Sequence, residues 1–179
     1  MAWKLTFAAA IVLLVSVYTF SQESCNRPVS EAPAISGLTV GMSFEQVQQA
    51  LGSVLKTKPL KNGEGTIYLS FAEQSPPESL RDIGTLWIRL FENRVYQVEV
   101  FYSDTGEDES IGNFTNELSR RFQVPAAAWR IKNNFATLDC GELLIKADAL
   151  LNHHVEVTDK AKKAEFDKKR AGDKAKKKS

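Results

Sequence analysis

The sequence predicts an α+β fold in which amphipathic helices pack against antiparallel strands. Apolar and polar residues alternate through residues 85–91 and 95–102, the pattern of strands with one buried face. A helical spacing instead relates the apolar residues Ile111, Phe114, Leu118 and Phe122. The predicted order along the chain is helix, three strands, helix, three strands. We therefore expect a unit of one helix and a three-stranded antiparallel sheet, repeated twice as αβββ-αβββ.

The first helix is specified at both of its ends. Ser43 stands three residues before Gln46, which is the spacing of a capping box. Met42 precedes the cap and is placed to pack on Val47 as a hydrophobic staple. Gly52 ends the helix because glycine readily adopts the left-handed conformation that closes a last turn.

The strands are predicted from runs of alternating or β-branched residues. We expect them at residues 66–71, 85–91, 95–102, 135–140, 143–147 and 154–158. Asn93, in the short connector of the central hairpin, is suited to a positive φ. One continuous antiparallel sheet with both helices on one face is the alternative arrangement, because it would bury more apolar surface than two very small cores.

An export signal is predicted at the N-terminus. Lys4 is followed by an uncharged run at residues 5–20. As a helix this run would span about 24 Å. That length is short for a bilayer core of roughly 30 Å and close to that of a signal peptide. Thr19 and Ser21 favour cleavage after Ser21. An uncleaved membrane anchor and lipidation at Cys25 are the alternatives.

The rest of the chain is expected to hold a linker, two helix-and-sheet units and a basic tail. With the signal, these segments are residues 1–21, 22–36, 37–102, 103–158 and 159–179. The tail holds ten Lys or Arg and four Asp or Glu, a net charge of +6, and the remainder carries −5. We expect its first half to be helical and its end disordered. Such a run attracts polyanions or acidic lipid head groups. Phe166 alone could stack on a base, so no nucleic acid is expected.

The chain has two cysteines, Cys25 and Cys140. An oxidising compartment would permit a disulfide between them. Alternatively, Cys140 is a small buried residue of a strand and Cys25 is a free thiol in the linker. Two cysteines are too few for the usual structural zinc site.

A short motif runs through the first helix, at Gly41, Met42, Ser43, Gln46, Val47, Leu51 and Gly52. It resembles the helix-opening motif of small outer-membrane assembly lipoproteins of the SmpA/OmlA (BamE) type. With the hairpin at residues 87–102, the resemblance covers about residues 37–102. Two such units in tandem resemble the architecture of the beta-lactamase inhibitory protein. The resemblance implies a binding or assembly role in the bacterial envelope, although the lipidation motif of that family is missing before Cys25.

No residue pattern of a known catalytic or metal site occurs in the sequence. It contains no Gly-x-Ser-x-Gly elbow, phosphate loop, His-Glu-x-x-His or Cys-x-x-Cys. His153 and His154 are adjacent, so on a strand they point to opposite faces, and we expect them to face solvent. The acidic residues 104–109 are interpreted as a solvated loop and helix cap rather than a calcium site. We therefore assign no catalytic, cofactor or metal residue.

Three aromatic residues, Trp87, Phe91 and Phe101, lie opposite the aliphatic rows of their strands. An uncovered face there would be a partner surface, and the alternative is a two-sided core or a covering loop. Trp129 is expected to cover the core. The sequence thus predicts a non-enzymatic module, periplasmic or extracellular, that binds another envelope or secreted protein. An inhibitor-like protein that binds a secreted enzyme is the alternative, favoured by the expected repeat.

Overall fold

The fold is built on one antiparallel sheet. The computed structural model describes residues 24–55, 60–72, 76–103, 110–150 and 152–176. Within them, seven strands pair in the order β1-β2-β3-β7-β6-β5-β4. Their bounds are Gly65–Ser70 (β1), Ile83–Phe91 (β2), Arg94–Tyr102 (β3), Arg130–Lys132 (β4), Phe135–Cys140 (β5), Leu143–Asp148 (β6) and His154–Asp159 (β7). The α-helices are Phe44–Leu51 (α1), Ile111–Phe122 (α2) and Lys160–Lys176 (α3).

The predicted repeat of two αβββ units is wrong. β3 pairs with β7, where Val98 lies opposite Val157, so strands from both halves of the chain continue one ladder. The second half also has a fourth strand, β4, which pairs with β5 as an edge strand. Joining the halves removes two exposed sheet edges and lets α1 and α2 cover one continuous apolar face. The class is α+β.

The core lies between the sheet and the helices α1 and α2. One row of aligned, buried side chains crosses the sheet at Ile67, Ile88, Val98, Val157, Ile145 and Leu138. The helices cover it with their predicted apolar faces, through Phe44, Val47, Leu51, Phe114, Leu118 and Phe122. Trp129 is buried in the same core and donates a 2.8 Å hydrogen bond from Nε1 to Ser119 Oγ, as expected for a residue that covers it.

The local signals at the helix ends and turns are confirmed. The Ser43 N–H donates to Gln46 Oε1 at 2.8 Å, and the Gln46 N–H donates back to Ser43 Oγ at 3.3 Å. Gly52 ends α1 as predicted and has a positive φ of 55°, but its ψ of −131° differs from the left-handed helical conformation that the sequence predicted. Asn93 has a φ of 59° in the turn between β2 and β3.

A disulfide joins Cys25 to Cys140 and fixes the start of the described chain to the end of β5. The next residues reinforce this attachment, because Arg27 forms a parallel bridge with Gly141. The Arg27 guanidinium donates to the carbonyl oxygens of Phe122, at 3.0 Å, and of Gln123. These carbonyls close α2, where a positive charge also complements the helix dipole. The predicted linker is therefore part of the folded structure from Ser24 onward.

The basic tail forms α3, which packs on the sheet face opposite α1 and α2. Phe166 stacks on Tyr96 with ring centroids 5.0 Å apart and meets Phe91 edge-on at 5.6 Å. Lys162 and Lys169 straddle this contact, each with its Nζ about 5.5 Å from the centre of the Phe91 ring. The helix continues to Lys176, further than the sequence indicated.

The predicted signal, residues 1–21, lies outside the described residues. Among the helices that the structure describes, none is long and apolar enough to cross a membrane.

We predict that replacing Cys25 and Cys140 by serine lowers the free energy of unfolding by about 4 kcal/mol. The two residues are separated by 115 positions, so the disulfide closes a long loop and restricts the unfolded chain. Urea unfolding of the oxidised protein and of the double variant measures the difference. Reductant should destabilise the native protein and leave the variant unchanged. A loss below about 1 kcal/mol would contradict the stabilising role of the disulfide.

Candidate functional site

The sheet has a second face that α3 covers only at one end. We call the remainder the open face and define it by eight side chains that the strand register aligns: Tyr68, Trp87, Arg89, Glu99, Phe101, Lys146, His154 and Glu156. Tyr68 is 54% exposed, Lys146 is exposed, and Trp87, Arg89 and Phe101 are half-buried. The side chains of Glu99, His154 and Glu156 are more deeply buried, at 14%, 17% and 13% exposure. This surface is therefore ordered by its neighbours and still reachable from solvent.

An aromatic pair lies on the β1–β2 side of the open face. Tyr68 and Trp87 are directly opposite each other on adjacent strands, and their rings meet edge-on at 4.9 Å. Arg89, two residues after Trp87, places its guanidinium carbon 5.7 Å from the centre of the Trp87 ring. The three side chains hold one another in place, which lowers the entropy that a partner would have to remove.

Two carboxylates face each other at the centre of the sheet. Glu99 on β3 and Glu156 on β7 are direct cross-strand neighbours, an arrangement that like charges destabilise. Basic groups offset this repulsion. Arg89 lies 3.2 Å from Glu99, and Lys146 lies 3.0 Å from Glu156. His154 Nε2 is 3.1 Å from Glu99 Oε1, an ion-pair distance without the alignment of a hydrogen bond.

These neighbours keep Glu99 ionised. The contact with His154 lowers the pKa of the Glu99 carboxyl, and the charges of Arg89 and Lys146 lower it further, against the opposing effect of burial. The centre of the open face is thus a compact set of fixed, alternating charges.

A small depression adjoins the other end of the open face. It is lined by Phe101, Asp148, Leu150, Asn152 and His154 and has a volume of about 180 Å³. The rings of Phe101 and His154 stack in its wall with centroids 4.3 Å apart. Pockets for drug-sized ligands usually measure about 300–1,000 Å³. The depression therefore suits one protruding side chain of a partner better than a separate small molecule.

The aromatic residues predicted as a partner surface divide between two environments. Trp87 and Phe101 lie on the open face, where the chain leaves them uncovered. Phe91 is buried, because Phe166 and the ammonium groups of Lys162 and Lys169 of α3 cover it. Phe91 therefore follows the alternative of a covered face, with a helix as the cover.

The two histidines point to opposite faces of the sheet, as predicted. His153, however, does not face solvent: it is buried and stacks on Phe114 of α2 at 4.4 Å. Among the described residues, no group of three or more His, Cys, Asp or Glu side chains is placed to hold a metal ion. The acidic residues 104–109 lie outside the described residues.

Sequence reasoning missed Tyr68, Arg89 and Glu156 as members of this surface. Each stands at a polar or outward position of its strand, which is the only signal that the sequence offers for it. The registers of β1–β2 and β2–β3 bring Tyr68 and Arg89 beside Trp87 and Glu99, and the pairing of β3 with β7 adds Glu156.

We predict that Glu99→Gln makes the free energy of unfolding depend less on pH in the acidic range. A carboxyl whose pKa is lowered in the folded state contributes stability above its unfolded pKa and loses it as the pH falls through the folded pKa. The native protein should therefore lose free energy of unfolding more steeply than the variant below about pH 5. Urea unfolding between about pH 6 and pH 3 measures this. Glu31→Gln, at an exposed turn residue, is the matched control. Parallel profiles for the native protein and Glu99→Gln would contradict the prediction.

Comparison with known proteins adds no relative: the chain matches no protein-family model, no curated protein and no solved structure. The resemblance of residues 41–52 to BamE-type lipoproteins stays a prediction from the sequence.

Proposed function

We propose that this protein is a non-enzymatic, exported module of the bacterial envelope or periplasm that binds another protein through the open face. The observation that carries this proposal is the ordered set of aromatic and charged side chains on a sheet face that the described chain leaves reachable.

The aromatic pair supplies the apolar part of such an interface. Trp, Tyr and Arg are the residues that most often dominate protein–protein binding energy, and here Trp87, Tyr68 and Arg89 contact one another. Because these rings already have fixed neighbours, their remaining exposed surface can be buried by a partner at low entropic cost.

The charged centre supplies specificity. Glu99 and Glu156 alternate with Arg89 and Lys146 across four strands, so a partner must match both signs at defined positions. A partner that placed a like charge against any of these groups would bind less tightly. A partner side chain seated in the small depression beside Phe101 would further fix the position of the partner on the sheet.

The disulfide supports the exported location. Disulfides form and persist in oxidising compartments, and they are rare in the reducing cytosol. The bond between Cys25 and Cys140 agrees with the signal segment predicted at residues 1–21. The two observations are independent, since one comes from composition and the other from geometry.

The inhibitor-like alternative loses the observation that favoured it. It rested on a tandem repeat of two αβββ units, and the strands instead form one sheet through the β3–β7 pairing.

We predict that a photo-reactive amino acid at position 87 or 68 of the full chain cross-links one specific envelope protein in the cell. The same amino acid at position 131 should not. Ile131 is 50% exposed and is paired with the core residue Ala136, so its side chain is on the other face of the sheet. Equal cross-linking from both faces, or none from the open face, would overturn the proposal.

We further predict that the double substitution Tyr68→Ala and Trp87→Ala weakens binding of the cross-linked protein by at least about thirtyfold. Removing two interface hot spots costs at least about 2 kcal/mol. Calorimetric titration of the purified pair measures the affinity, with Ile131→Ala as the matched control. Urea unfolding of each variant shows that the fold is retained. An unchanged affinity in the double variant would place the binding surface elsewhere.

A further inference from the structure

The helix α3 carries a concentration of positive charge that the proposed function does not use. Its 17 residues include eight Lys or Arg and three Asp or Glu. Phe166 is its one large apolar side chain, and this ring is packed against Tyr96 and Phe91. The helix therefore has no apolar side chain left to insert into a membrane or to stack on a nucleic-acid base.

The inner side of α3 is fixed to the protein. Lys162 forms an ion pair with Glu92 at 3.2 Å, and Lys169 pairs with Glu64. Phe166 lies between these lysines on the helix surface, at the i+4 and i−3 positions. Together the three residues hold α3 across the end of the sheet that contains the β2–β3 turn and the start of β1.

The outer side of α3 is a line of small residues that includes Lys168. The edges of this line carry basic residues and two carboxylates, Glu165 and Asp167, which pair with Lys162 and Lys163. The exposed residues that follow one another at spacings of three and four along the helix are Ala161, Ala164, Lys168, Ala171 and Ala175. Because alanine is short, the helix axis can approach a flat surface closely. Lysines along the line and its edges, such as Lys168 and Lys174, are long enough to reach charged groups on that surface.

The same end of the sheet receives the N-terminal segment. The Lys160 N–H donates to the Glu142 carbonyl at 3.0 Å, and the Val29 N–H donates to the Glu142 carboxylate at 2.7 Å. The Cys25–Cys140 disulfide lies beside this turn. The point from which the chain leads back toward the apolar residues 5–20 therefore adjoins the first turn of the basic helix.

We propose that α3 is a contact site for an anionic membrane surface, with its outer line of alanines and lysines against the phosphate groups of acidic lipids. A straight helix about 25 Å long matches a plane of phosphates. Its lysines attract such a plane without insertion, and salt screens the attraction. This contact is independent of the open face, so either proposal can fail while the other stands.

Vesicle co-sedimentation of the segment 22–179, which contains every described residue, tests the proposal. We expect binding to phosphatidylcholine vesicles that contain phosphatidylglycerol, no binding to phosphatidylcholine alone, and loss of binding as sodium chloride rises. Replacing Lys168 and Lys174 by glutamate should lower the apparent affinity by at least about twentyfold, since each basic residue near an acidic surface contributes roughly fivefold.

The matched control reverses two basic residues on the far edge strand, Arg130→Glu and Lys132→Glu. Both residues are exposed, and the net charge changes by the same amount. This variant should keep most of its affinity for the vesicles. The double variant Lys168→Gln and Lys174→Gln removes the two charges without reversing them and so perturbs the helix less. It should also weaken binding to the vesicles. Circular dichroism checks that α3 persists in each variant. The proposal would be overturned if the α3 and β4 variants lost vesicle affinity equally, or if binding did not depend on acidic lipid. Tighter binding to single-stranded DNA than to vesicles would also overturn it.

Discussion

The pairing of β3 with β7 is the contact on which the rest of the structure depends. It joins residues far apart in the sequence, and it aligns side chains on both faces of the sheet at once. Toward the helices, Val98 meets Val157 at the centre of the core. Toward the open face, Glu99 meets Glu156, and the charges of both halves of the chain form one set. Without this pairing, each half would be a small sheet with one helix and a core too small to be stable alone.

The second face of the sheet divides into a closed end and an open remainder. Phe91 and Trp87 stand on the same side of β2, yet Phe91 is buried and Trp87 stays reachable. The difference comes from Phe166, which reaches only as far as Phe91 and Tyr96. The tail thus completes the fold at one end and leaves the aromatic pair reachable from solvent.

The sequence predicted the features that neighbouring residues determine, and it did not predict those that depend on contacts between residues far apart in the chain. The capping box at Ser43 and the turn at Asn93 are local, and both are confirmed. The alternation of apolar and polar residues predicted six strands, and each predicted end lies within two residues of the observed one. β4 was missed because its three exposed residues are too few for an alternating pattern to stand out. The β3–β7 pairing and the cover over Phe91 leave no local signal, so the predicted repeat was wrong and the sequence left open whether Phe91 would be covered.

Hydrogen exchange of the native protein tests most directly whether the two halves form one sheet. We expect the slowest amides of β3 and β7 to exchange with the same opening free energy, equal to that of global unfolding, because each strand is central and supports the other. Both sets should respond equally to added urea. If β5, β6 and β7 instead opened together at a clearly lower free energy while β1, β2 and β3 stayed protected, the halves would be separate units, and the continuous open face would not exist as described.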